Sequence, residues 1–126
     1  MSRVLVDTSV WVDHFRRRND TLVSLLHQDQ VLVHPWVIGE IACGTPPKRA
    51  ETLAHLASLQ PVTTASPSEA MAFVEREQLF GLGCGWVDVH LLAAACLTPQ
   101  CQLWTLDQRL GALAQRFGRA FQSLTH

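Results

Sequence analysis

Four acidic residues, Asp7, Glu40, Asp88 and Asp107, are the side chains whose type and surroundings could make a catalytic site in this chain of 126 residues. Each also has a plainer role open to it. Asp7 and Asp107 can cap helices, Asp88 can ease the macrodipole of the helix it opens, and Glu40 can face water. For the two caps, taken singly, the plainer role is the better reading. For Glu40 and Asp88 it weakens, because their neighbours are apolar nearly all round: Trp36, Val37, Ile41 and Cys43 about the one, Val87, Leu91 and Leu92 about the other. A carboxylate buried without a partner is costly or takes up a proton. Almost no basic residue lies near either in sequence. A divalent cation would compensate several such charges at once, and an all-oxygen donor set selects a hard ion such as Mg²⁺ or Mn²⁺ over zinc.

The elements that must position these groups follow from hydrophobic pattern and punctuation. Residues 3–6 read as a short buried strand, after which Asp7, Thr8 and Ser9 offer capping groups to a helix over 10–18. Asn19 and Asp20 can cap a second helix carrying Leu22, Val23, Leu25 and Leu26, and residues 30–34 return as a strand. Pro35 suits the first position of the next helix, which carries Glu40 and is stopped by Gly44 and the Pro46-Pro47 pair. A fourth helix with Leu53, Leu56 and Ala57 leads to a short strand over 61–64. Ser66-Pro67-Ser68-Glu69 is a capping box, predicting a helix to Phe80 closed by Gly81. A loop with Gly81, Gly83 and Gly85 precedes an almost wholly apolar, central helix over 86–97, which carries Asp88 and ends before Pro99. Residues 101–105 form another strand, Asp107 caps a helix with Leu110, Leu113 and Ala114, and residues 120–124 are expected as an edge strand. Apolar strands alternating with helices predict an α/β fold: a three-layer α/β/α sandwich around a central parallel sheet of four to five strands. Ligands of such sheets sit beyond the carboxyl ends of the strands, the edge where Asp7 and Asp107 fall.

Composition narrows the function classes. A hydrophobic fraction of 48% over this length predicts one domain, residues 1–126, with a core of its own. A net charge of -1 means that the whole chain is no magnet for nucleic acid. Nine of the ten basic residues are arginine, and Arg16, Arg17 and Arg18 form one local patch able to grip phosphate, or simply a solvated helix end. The four cysteines lack a C-x-x-C pair and read as core thiols, which fits a reducing compartment. The opening residues lack the pattern of a secretory signal, and the longest apolar stretch, 91–97, is too short to span a bilayer. A soluble, cytoplasmic protein with no membrane partner is expected.

Four segments taken in order carry a resemblance: V-L-V-D-T-S-V-W over 4–11, E-I-A over 40–42, D-V-H-L-L-A-A-A over 88–95 and T-L-D-Q-R-L over 105–110. Singly each is common; their order, spacing and placement are specific. Over its whole length the chain resembles the PIN-domain ribonucleases, in particular the VapC-type toxins of prokaryotic toxin–antitoxin pairs. All four acidic positions of that family's pattern are present. The resemblance implies Mg²⁺ or Mn²⁺ held chiefly by Asp7 and Asp88, with Glu40 and Asp107 as outer ligands or around a second ion. Ser9 and Thr105 would orient the carboxylates, and a metal-activated water would attack RNA phosphodiesters in line. It also implies a homodimer and a small VapB-like antitoxin that reaches over the acidic cleft with a basic side chain.

Other readings fare worse. A haloacid-dehalogenase-like phosphatase needs a second Asp where Ser9 stands, and a receiver domain needs a strand-end lysine, for which Lys48 is misplaced. A non-catalytic PIN-like scaffold binding RNA or protein is the alternative that a nuclease assay separates. Among the six histidines, His90 reads as a packing or hydrogen-bonding residue. Trp11 and Trp86, each close to an acidic position, are candidates for stacking on a nucleobase, alongside Arg16, Arg17 and Arg18 as RNA contacts. Trp36 and Trp104 add to an apolar content that points to a two-fold interface.

Overall fold

The run Arg3–Val6 forms β1, buried from Val4 onward, because a strand flanked on both sides and covered on both faces has no side left for water. In the computed structural model, which describes residues 2–122, β1 pairs on one side with β2 (Val31–Val33), which pairs with β3 (Gln60–Pro61), and on the other with β4 (Cys101–Trp104). All pairings are parallel and the order is β3-β2-β1-β4. Leu5 lies opposite Leu32 and Leu103, and Val6 opposite Trp104.

Parallel strands require right-handed crossovers. The outward path from β1 to β3 therefore lays α1 (Thr8–Arg16), α2 (Asp20–His27), α3 (Pro35–Ala42) and α4 (Arg49–Ser58) on one face. The return to β4 carries α5 (Pro67–Glu77) and α6 (Trp86–Leu97) over the other, and α7 (Gln108–Arg116) follows. Packing agrees: α1 meets α3 and α3 meets α4, while α6 meets α5, α7 and β4. This is the expected three-layer sandwich, with four strands. Residues 89–95 of α6 are buried without a break, so it is the central helix that its sequence predicts. No helix among the described residues is long and apolar enough to cross a membrane.

Helix starts obey local chemistry. The Ser66 capping box closes reciprocally, with Glu69 N–H on Ser66 Oγ at 3.1 Å and Ser66 N–H on Glu69 Oε1 at 2.8 Å. Asn19 accepts from Leu22 N–H, and His34 caps α3 by accepting the Trp36 N–H on Nδ1 at 3.0 Å.

Several boundaries differ from the sequence reading. α1 starts at Thr8 because Asp7 alone is its cap, and it ends at Arg16, leaving Arg17 extended. α5 ends at Glu77, closed by Gln78 in the left-handed region, ahead of the Phe80–Gly81 end that glycine preference suggests. β3 covers 60–61 and not 61–64: Val62 N–H makes the last ladder bond, and Thr63 N–H is drawn away to Thr98 Oγ1 at 3.0 Å. Of the edge strand expected over 120–124, the described residues hold an isolated parallel bridge between Ala120 and Leu103, and residues 123 and 124 lie outside them.

Candidate active site

Adjacent strands bring the two strand-end acids together. Asp7 N–H donates to the Trp104 carbonyl at 2.9 Å, so the residue after β1 meets the residues after β4. With 7% of its surface exposed, Asp7 is the one buried carboxylate of the four. Its Oδ1 accepts Thr8 N–H at 2.8 Å, and its Oδ2 accepts both Ser9 Oγ and Thr105 Oγ1 at 2.7 Å. Each hydroxyl in turn accepts a backbone amide at 3.0 Å, Ser9 from Leu106 and Thr105 from Asp107. A hydroxyl has one proton to give. With amides on their acceptor sides, both protons go to Asp7, and three donors fix its rotamer.

The other three carboxylates are held differently. Thr8 Oγ1 donates to Glu40 Oε1 at 2.6 Å, tying α1 to α3. Asp107 caps α7 with Oδ1, which takes Arg109 N–H at 2.8 Å and Leu110 N–H at 3.0 Å. Asp88 Oδ2 accepts Gly85 N–H at 3.2 Å. Each of these residues is thus anchored by one oxygen, and the other has no hydrogen-bond partner among the described residues. Asp88 is half-buried, and burial is the main cause that pushes its pKa up; the Gly85 N–H opposes this, and the charges of Asp7, Asp107 and Glu40 add to it. Asp7, Asp107 and Glu40 therefore all lie within electrostatic reach of Asp88. The ion pairs among the described residues, Arg18–Asp20, Arg76–Glu77 and Arg116–Glu77, involve none of them.

One expectation about burial is reversed. Glu40 is exposed: α3 turns Val37 and Ile41 into the core, while Gly39, Glu40 and Cys43 stay at the surface and Trp36 is only half-buried. Asp7 caps α1 as its sequence position suggests, and it is the acid that the core encloses.

Trp11 is a core side chain, 4% exposed and stacked on Phe15 at 6.2 Å, so a nucleobase has no access to it. Trp86 is 38% exposed and stands edge-on to His90 at 4.6 Å. His90 is buried between Trp86 and Trp36, a packing residue as its sequence context predicts. His34, also buried, has its pKa pushed down to about 4, chiefly by burial and further by His90. Arg16, Arg17 and Arg18 are exposed at the far end of α1, roughly 13 Å along the helix from Thr8 at 1.5 Å per residue. Arg18 is engaged by Asp20 at 2.9 Å. Trp104 is buried against Phe121 and adds nothing to the exposed apolar surface. Cys101 is a core thiol, Cys84 and Cys96 are partly buried, and Cys43 is exposed, against the expectation of four core thiols. Two residues at the site had no part in the predicted site: Thr8, read from sequence only as a capping group beside Asp7, and Arg109, inside T-L-D-Q-R-L.

The donor set fits a hard divalent cation. It is all oxygen, three of its members keep an oxygen unbonded, and Asp88, pushed up chiefly by burial and further by the other three charges, is a carboxylate whose ionised form a cation would favour. No three His, Cys, Asp or Glu side chains among the described residues already converge as a ligand cage.

No protein-family model matches the chain. Over 117 residues, 93% of this chain and 94% of the relative, it is 40% identical to Ribonuclease VapC32 of Mycobacterium tuberculosis, both in strain CDC 1551 / Oshkosh and in strain ATCC 25618 / H37Rv.

Proposed function

The chain belongs to the VapC family of PIN-domain ribonucleases, and on that premise we propose that it is an endoribonuclease, the toxin of a toxin–antitoxin pair, acting through Asp7, Glu40, Asp88 and Asp107. The observation that supports this site is a set of four carboxylates near the carboxyl edge of the sheet, with Asp88 in reach of the charges of the other three and none in an ion pair among the described residues. Mg²⁺ or Mn²⁺ would be held chiefly by Asp7 and Asp88, with Glu40 and Asp107 farther out or around a second ion. When bound, the ion supplies Lewis acidity and charge neutralisation at the phosphodiester. The chain's own part is positioning. Ser9 and Thr105 hold the Asp7 carboxylate in one rotamer, Thr8 holds Glu40, and two backbone amides hold Asp107. No side-chain nucleophile is needed, because water is the attacking group.

Incubating the purified protein with RNA tests the reading. Cleavage should stop in EDTA and return with Mg²⁺ or Mn²⁺, less so with Ca²⁺. Asp7→Asn or Asp88→Asn should each cost at least ~10²-fold in rate, the scale of losing one electrostatic stabiliser. Full activity in EDTA, or wild-type rates in both variants, would overturn it. RNA bound but never cut would leave the non-catalytic scaffold.

The same reading supplies partners. Trp86, exposed two residues before Asp88, is a platform for a base of the RNA, and Arg16 and Arg17 offer phosphate contacts. A VapB-like antitoxin covers the acidic cleft with a basic side chain. A groove of about 450 Å³ with Val12, Phe15, Ile41 and Pro46 in its wall reaches Glu40 and gives such a segment an apolar approach. The toxin works in the cytoplasm as a homodimer of a single domain, 1–126. Exposed Met71, Phe80 and Leu97 provide apolar surface for self-association. Light scattering on the isolated chain should give twice the monomer mass.

A further inference from the structure

Gly83 lies between α5 and α6 with φ +82°, and the space that its side chain would take is filled. A Cβ there would fall 2.7 Å from a guanidinium nitrogen of Arg109, 2.8 Å from its Cδ and 3.0 Å from its Cζ. Arg109 therefore rests directly on the backbone of the glycine loop. Two neighbours make this placement matter. The same loop ends at Gly85, whose N–H holds Asp88, and the backbone N–H of Arg109 is one of the two held by Asp107. The guanidinium is thus anchored between the segment that positions Asp88 and the turn that positions Asp107. Cys84, next along the loop, lies within reach of the charges of Asp88, Asp107 and Arg109 together.

Arg109 is exposed and forms no ion pair among the described residues. Its planar fork lies against Gly83, between the segments that carry Asp88 and Asp107, at a site whose substrate brings two non-bridging oxygens on every phosphate.

We propose that Arg109 binds a phosphate of the RNA strand beside the scissile bond, and that the glycine at position 83, which a φ of +82° already calls for, also leaves the room that this guanidinium occupies. The proposal rests on the ribonuclease reading and adds a substrate contact to it.

The test compares wild type with Arg109→Gln, which keeps most of the stem on Gly83 and removes the charge, and with Arg109→Ala. Binding of a short fluorescein-labelled single-stranded RNA is measured in EDTA over a range of salt. Removal of one charged grip on a phosphate should flatten the slope of log Kd against log salt by ~0.7, and KM for cleavage should rise by at least about tenfold, the scale of one hydrogen-bonded charge, with the melting temperature held. A purely structural arginine would change the melting temperature and leave the slope alone. A wild-type slope in Arg109→Gln overturns the proposal, even if the enzyme is slower. Failure of the wild type to cleave RNA with either metal would overturn the ribonuclease reading instead.

Discussion

Replacing Thr105 by Val tests whether the hydroxyl pair on Asp7 is what orders the site. The change keeps the shape of the side chain and removes one oxygen, which makes two bonds: 2.7 Å to Asp7 Oδ2 and 3.0 Å from Asp107 N–H. A hydrogen bond to a charged group contributes roughly 1.5–3 kcal/mol. Here the loss is at the lower end, because Ser9 still donates to the same oxygen and water can replace the exposed Asp107 contact. A net cost of about 2 kcal/mol follows, or a fall of about 8 °C in melting temperature for a chain of this size. Catalysis should fall ~10–100-fold, the range for groups that orient a metal-holding side chain. Ser9→Ala should behave alike. Because both hydroxyls serve one oxygen and sit 3.4 Å apart, the double variant should depart from the sum of the singles by at least ~0.5 kcal/mol. Thermal melts and single-turnover cleavage on the four proteins give both quantities. Full rate and an unshifted melt in Thr105→Val, or strict additivity in the double variant, would refute the hub.

Asp88 has a pKa above its unfolded value, so its contribution to stability is present at low pH and is lost as pH rises through the folded pKa. Asp88→Asn should then raise the melting temperature of the metal-free protein at pH 7 and blunt the stabilisation by Mg²⁺; a thermal-shift series showing neither would count against repulsion at the site. His34 has the opposite sign: its folded pKa of about 4 lies below the ordinary 6.5, so the stability it supports is present above pH 6.5 and lost as pH falls toward 4. At 1.36 kcal/mol per pH unit this amounts to about 3 kcal/mol. His34→Asn, which retains a helix-capping oxygen, should flatten the acid limb of urea-melt stability between pH 6.5 and 4, and parallel curves would exclude His34 as its source.

The strands and their ends were legible because β1 and β4 are apolar runs that stop at residues able to cap a helix, so Asp7 and Asp107 could be put at one sheet edge before any pairing was known. The order of the strands was not, since parallel pairings join residues far apart in sequence and leave no local mark. Burial of Glu40 was misjudged because apolar type does not ensure burial: Cys43 is exposed and Trp36 half-buried, and the core takes Val37 and Ile41 from this helix. The Thr8–Glu40 bond spans 32 positions and has no local signature. The end of α5 was misplaced because glycine is the usual left-handed stop, whereas Gln78 takes that conformation here, with its N–H on the Val74 carbonyl. The hydroxyls of Ser9 and Thr105 were reached through the family pattern, and what the structure adds is their relay: backbone amides behind them, one carboxylate oxygen in front.

Capping and catalysis looked like rival explanations of these acids, yet a carboxylate has two oxygens and a cap needs one. Asp107 satisfies two amides of α7 with Oδ1 alone, and Asp88 holds the Gly85 amide with Oδ2 alone. The cap fixes the side chain's torsion and the remaining oxygen inherits that fixed position, so each helix start acts as a mount. Asp7 is the exception that explains its burial. Both of its oxygens are bonded, three donors in all, and a carboxylate has about four acceptor sites. It can therefore serve its helix and two hydroxyls and still offer a lone pair outward. A carboxamide at position 7 would replace one acceptor oxygen by a donor facing a donor, so Asp7→Asn should lose stability even as it relieves charge. In that respect it parts from Asp88→Asn, where a single amide bond is at stake.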